Sequence, residues 1–307
     1  TAGWTLVDGR FTAGDGVCVS RAIGVAATRA LRLRQSVVET LDQRHLAART
    51  AFLAAGLAGL AAVLPRLAVG LAAALTATQV AALETADLVK LSTDAISALS
   101  GSGVSALTTS HMAALTTAQT VALTSDQLKQ LSSTQIAALT TAQAAALTTD
   151  QVAALSGTQV SKLETADLAK LSTSAVATLS SAQTRNLTTD QIVALSTAQA
   201  AALSTTSAAA LTSAQLAAME TADLAKLSTD AVAALTTAAL RGLDATQVAA
   251  ITSAQLAAVT TGQLASLTTA QVVALTTAQA SKLSTDQAVA LTTAQVAALE
   301  TADLAKL

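Results

Sequence analysis

LTTAQVAALETADLAKL, residues 291–307, places leucine at 291, 299 and 307. Neither a helix nor a strand repeats every eight residues, so the step must belong to a larger unit. It runs back unbroken through Leu83 to Leu75: of thirty positions spaced by eight, twenty-seven are Leu and the others are Met219, Ile251 and Val259. No octad is lengthened or shortened. Each of the 29 octads of residues 75–307 is therefore one structural unit, because an insertion would displace every unit after it.

Counted from its leucine, an octad reads L-T-T-A-Q-V-A-A. Position 2 is Thr or Ser in twenty-four octads, Glu in four and Asp once, and position 5 is Gln in eighteen and Asp in four. Thr or Ser followed three residues later by Gln is a capping box, in which the hydroxyl accepts a backbone N–H of the first turn and the Gln side chain returns to the cap's own N–H. Thr292 and Gln295 are one such pair, with Leu291 and Val296 placed as the hydrophobic staple around it. Every octad thus carries a helix start signal, at roughly 1 kcal/mol per cap.

A single continuous helix would turn about 800° per octad and rotate the leucine stripe by about 80° at each step, leaving no face to bury. A β-solenoid is the alternative, since Thr and Val suit strands, but the Ala, Gln and Leu of the octad favour helix, and only five Gly occur after residue 74 to turn corners. The sequence predicts an all-α fold: an α-solenoid of very short capped helices of about two turns, one per octad, with leucines and position-6 residues toward the axis. Alanines at positions 4, 7 and 8 would let the helices pack closely. Helices this short are marginal alone, so coils must stack; three or four octads per turn are both geometrically reasonable.

A second pattern overlies the first. Glu84, Asp87 and Lys90 recur as Glu164, Asp167 and Lys170, as Glu220, Asp223 and Lys226, and as Glu300, Asp303 and Lys306, with starts ten, seven and ten octads apart. The acids fall in the first turn and the lysine in the last, which suits the helix dipole, and Asp and Lys lie within pairing reach. Block duplication with solvated ion pairs accounts for the pattern; a sharper reading makes these residues lateral contacts between solenoids or cation ligands, the second disfavoured by the lack of a glycine-supported acidic loop.

Composition narrows the function. The chain is 52% hydrophobic but only 1% aromatic, and its formal charge is -2. Its core is a thin one of Leu, Ala and Val, and nothing in its overall charge points to nucleic acid. Cys18 is the one cysteine, read as a small buried residue. His45 lies in the N-terminal region and His111 stands where Gln usually does, a substitute polar residue in a first turn. No nucleophile elbow, zinc helix or phosphate loop is present. The expectation is a non-enzyme with no catalytic, cofactor or metal residue.

Residues 1–74 form a separate head. They hold Trp4, Phe11, Phe52 and Pro65, with eight Arg and no Lys. TAGWTLVDGRFTAGDGVCV contains short apolar runs separated by DG and GDG, which predicts turns or a small hairpin. Residues 20–50 read as a helical Arg-rich zone. The leucines from Leu53 to Leu71 then follow heptad spacing interrupted by Pro65 and Arg66, as a buried helix pair or a cap for the first coil; a membrane-associated hairpin is the lesser reading.

The runs LTTAQVAALTTAQ, LSTAQAAALSTTS and LTTDQIVALSTAQ resemble the octapeptide arrays of large surface or secreted proteins of proteobacteria, often labelled haem-utilisation or adhesion proteins. The resemblance covers residues 75–307 and implies a long, extracellular, adhesive or structural protein. It brings no haem site, for no His, Tyr or Cys recurs in the array. The expected function is a structural rod or filament at the bacterial cell surface or outside it. Its partners are other copies joined head to tail, and surface ligands or other cells, with no nucleic acid and no cofactor. A partner-binding scaffold using the irregular octads LSGSGVSA (99–106) and LTTAALRG (235–242) is one alternative, and ice binding by threonine rows another. Leu307 opens an octad with no polar cap after it, which predicts either a longer array or an end covered by the head of another copy.

Overall fold

The computed structural model describes residues 5–7, 10–12 and 65–306. The chain divides into two compact units, Thr1–Leu53 and Ala54–Leu307. In the first, β1 (Thr5–Val7) and β2 (Arg10–Thr12) pair antiparallel with Val7 opposite Arg10, the hairpin that Asp8 and Gly9 predict. Cys18, His45, the Arg-rich zone, the apolar run up to Leu64 and Leu307 lie outside the described residues.

In the second unit α1 (Pro65–Ala73) is followed by one short helix in each of the 29 octads, and no strand occurs from residue 65 to 306. The β-solenoid alternative is thereby excluded. The octad helices are shorter than the two turns expected: they run four to six residues, from position 3 to between positions 6 and 8. The shortening has a backbone cause. Leucine does not continue the helix but caps it in an extended conformation, as at Leu155 (φ -65°, ψ 142°), and the next residue is extended too, as at Ser156 (φ -71°, ψ 159°). Two successive extended residues make the corner.

Three octads complete one turn. Each helix packs against the third one along, Thr117–Ala122 on Thr141–Ala146 and Ser125–Gln130 on Thr149–Ala154, so a coil is three octads in three sides. Pro65–Ala73 packs in the same way on Thr93–Ala98.

The core follows from this stacking. From Val80 to Ala280 every position-6 side chain is at most 2% exposed, and the position-1 residues form a second buried line beside them, from Leu75 and Leu83 to Leu291 and Leu299, with Leu283 partly buried. At about 1.5–3 kcal/mol per buried aliphatic side chain, this double line is the main stabiliser of helices too short to stand alone. Position 6 is covered by the following coil, which is why Val296 and Leu304, in the last coil, are 37% and 40% exposed; the staple expected of Val296 is thus not a buried one. Position-4 residues lie at the surface rather than between helices. Thr120 and Thr184 replace aliphatics at position 6 and return their hydroxyls to the carbonyls of Thr116 and Ser180, each at 3.0 Å.

Candidate functional site: the glutamine corners and their acidic substitutes

All eighteen Gln octads form the predicted capping box. Thr292 caps Gln295 N–H and receives Gln295 Oε1 on its own N–H at 2.8 Å. The position-2 hydroxyls that an ice-binding face would need are consequently engaged as caps.

Glutamine has a second task that the capping box does not predict. Gln151 Oε1 accepts from Thr148 N–H at 3.0 Å, while its Nε2 donates to the carbonyls of Thr120, Val121 and Leu123 at 2.9, 3.1 and 2.7 Å. Those carbonyls end the helix Thr117–Ala122 in the coil beneath; that of Thr120 also accepts Leu123 N–H at 3.2 Å, and the others are among the carbonyls a helix end leaves over. From Gln119 to Gln295 every such glutamine reaches the carbonyl 28 residues earlier, most with that 31 earlier as well: Gln119 reaches Leu88 and Leu91, and Gln271 reaches Leu240 and Leu243. One side chain therefore starts its own helix and finishes another one coil away. The corners form a ladder of buried amides, donors toward the preceding coil and acceptors toward the next.

The sequence contains a signal for this second role. A capping box accepts Glu as readily as Gln, yet no octad has Glu at position 5. A carboxylate has no proton to donate, so its absence reports that the far end of the side chain must be a donor. The polar exceptions agree. His111 accepts Thr108 N–H on Nδ1 at 3.2 Å and meets the Leu83 carbonyl with Nε2 at 2.8 Å, and Ser207 Oγ donates to the Leu179 carbonyl at 2.8 Å. The first contact leaves the His111 proton on Nε2.

The four ETADL octads break the rule. Their Glu side chains make no cap hydrogen bond, whereas the shorter Asp244 accepts Gln247 N–H at 2.8 Å; the extra methylene of Glu84, Glu164, Glu220 and Glu300 is the difference. The aspartates take the buried Gln position. Asp167, Asp223 and Asp303 are 1%, 2% and 3% exposed, and each has a buried carboxylate oxygen with no hydrogen-bond partner. Of the expected Asp–Lys pairs one is present, Lys90 to Asp87 at 3.3 Å; no ion pair joins Lys170, Lys226 or Lys306 to an acid among the described residues.

The structure does not bring these octads together. A separation of ten octads is three coils and one octad, and one of seven octads is two coils and one octad, so Glu84, Glu164 and Glu220 lie on three different sides and Glu300 returns to the first. The irregular octads are likewise built for packing. A Cβ on Gly242 would come within 2.6 Å of the Ser213 carbonyl, and one on Gly103 within 3.3 Å of Val80.

Burial raises the pKa of Asp167, partly offset by a hydrogen bond from the Thr141 hydroxyl and reinforced by the Glu164 charge; burial and then Glu220 raise that of Asp223. The helices beneath them, Thr141–Ala146 and Thr197–Ala201, carry no charged residue, and above them stand Asp190 and Asp244. A folded-state pKa above the unfolded one means the folded chain binds the proton more tightly. Stability should then rise as pH falls through the raised folded values toward the ordinary carboxylate range of about 4. Thermal melts of the pair D167Q/D223Q should show that slope flattened, and at pH 7 a gain of roughly 1–3 kcal/mol per site from the restored donors; equal slopes in both proteins would contradict the assignment.

The family model described as ALTTAQ repeat matches residues 80–117, 120–157, 160–197, 216–253 and 248–285, together more than half of the chain. No curated protein and no solved structure matches it.

Proposed function

Because the chain belongs to the ALTTAQ repeat family, and its repeats stack by a directional ladder, we propose that it is a non-enzymatic structural protein forming a rod or filament at the bacterial cell surface or outside the cell. The observation that carries this reading is the polarity of the glutamine corners. Each coil offers Nε2 donors to the coil before it and leucine carbonyls to the coil after it, as at Gln151 and Leu123. A surface that repeats by translation along one axis is heterologous and open-ended, the kind that builds rods rather than closed oligomers. Other copies of the chain, joined head to tail, are the proposed partners. The buried glutamines, His111 and Ser207 serve the ladder, which supports a role in length and stiffness.

Electron micrographs of the purified chain should show rods or filaments, and removal of residues 1–74 should abolish long assemblies. A monodisperse compact monomer would contradict the filament reading, and long assemblies that persist in the deletion would contradict the head-to-tail joint.

A further inference from the structure

At three corners the ladder meets an acceptor where it needs a donor. The helix Thr165–Leu168 packs on Thr141–Ala146, Thr221–Leu224 on Thr197–Ala201, and Thr301–Leu304 on Thr277–Ala280. The Gln register therefore sets Asp167 over the corner of Ile136 and Leu139, Asp223 over that of Ile192 and Leu195, and Asp303 over that of Val272 and Leu275. A short polar side chain at this octad position reaches the leucine carbonyl, as Ser207 Oγ does at 2.8 Å. In that register an ionised carboxylate would be an acceptor facing acceptors; one oxygen of each is buried without a partner, and the Thr141 hydroxyl bonds the Asp167 carboxylate.

We propose that each of these corners binds a calcium ion, held by the aspartate carboxylate, the carboxylate of the Glu three residues before it, and the two main-chain carbonyls of the coil beneath. The donor set is all oxygen, which suits a hard cation, and calcium accepts such oxygens in flexible geometry where magnesium demands a strict octahedron. Calcium–oxygen bonds of about 2.4 Å set neighbouring ligand oxygens roughly 3.4 Å apart, a little wider than the Ser207 contact and within the reach of the longer Asp side chain. The charge also balances. Glu164 and Asp167 together carry two negative charges, and no ion pair to Lys170 offsets them. No group of three His, Cys, Asp or Glu suited to a metal occurs among the described residues; here backbone carbonyls complete what two carboxylates begin. Asp87 is not included, because Lys90 already pairs with it. Calcium would thus join one coil to the next where glutamine does so elsewhere, making the array's cohesion dependent on the ion at three points.

The test is equilibrium dialysis of the full chain against radiolabelled calcium, with thermal melts in calcium and in chelator. The expected result is about three ions per chain and a melting temperature that climbs with the logarithm of free calcium. The triple variants D167N/D223N/D303N and D167Q/D223Q/D303Q should lose all three ions and the calcium-dependent shift while keeping the helical circular dichroism spectrum. Absence of uptake by the native chain, or uptake retained in both folded variants, would overturn the proposal.

Discussion

Gln151→Glu is expected to destabilise the array by roughly 3–5 kcal/mol at neutral pH, although the two side chains have the same shape, because a buried charge without a partner carries a penalty of that order. Only the Nε2 group changes, and it becomes an oxygen facing the carbonyls of Thr120, Val121 and Leu123. The capping half of the interaction survives, because the other carboxylate oxygen still accepts Thr148 N–H. Urea unfolding of the variant separates the two roles. A loss below about 1 kcal/mol would mean that the cap alone matters, and a large loss that shrinks when acid restores a proton to the carboxylate would assign the cost to the missing donor.

The second large effect is one of phase. Deleting residues 148–155 removes one whole octad and leaves Leu147 followed by Ser156, so every later glutamine still meets the carbonyls at the end of an octad helix in the coil beneath. The chain should melt within a few degrees of the intact array. Deleting residues 148–151 instead removes the cap Thr148 and Gln151 together and leaves a half octad. The carbonyls of Val121 and Leu123 lose the Gln151 donor, that of Thr120 keeps only Leu123 N–H, and the side chains beneath lose their cover. Orphaned carbonyls and exposed core together should cost on the order of 5 kcal/mol and split the melt into two transitions, one for each flank. Calorimetry distinguishes the outcomes, and equal damage from the two deletions would contradict the octad as the unit. The ETADL blocks already agree with this account, since their spacings of ten and seven octads are whole octads but not whole coils.

What was legible in the sequence was local. Thr292 and Gln295 are three residues apart, so cap, box and helix start follow from spacing alone, and the octad period carries the all-α solenoid. The number of octads per turn was not legible, because it depends on the angles of two successive corner residues, such as Leu155 and Ser156, and nothing in their identity sets the bend at a third of a turn. Helix length was overestimated for the same reason: the leucine belongs to the corner, not to the helix. The aspartates were read from their own octad, as partners for Lys170, Lys226 and Lys306. They are instead buried against the coil beneath, each with an oxygen left without a partner, which no local spacing reveals. The lack of Glu at position 5 was the available clue, since it asks for a donor at a distance.

The central claim, that three octads close one coil and successive coils stack, is tested most directly by electron–electron distances between spin labels on one side of the solenoid. In a Cys18→Ser background, cysteines replacing the exposed Thr165 and Ser213, Thr165 and Thr237, or Thr165 and Thr261 are separated by two, three and four coils. At about 10 Å between packed helices, the distances should be about 20, 30 and 40 Å, rising linearly with coil number. A value of about 70 Å for the first pair, as one continuous helix rising about 1.5 Å per residue would give, or distances that do not follow the three-octad step, would contradict the account.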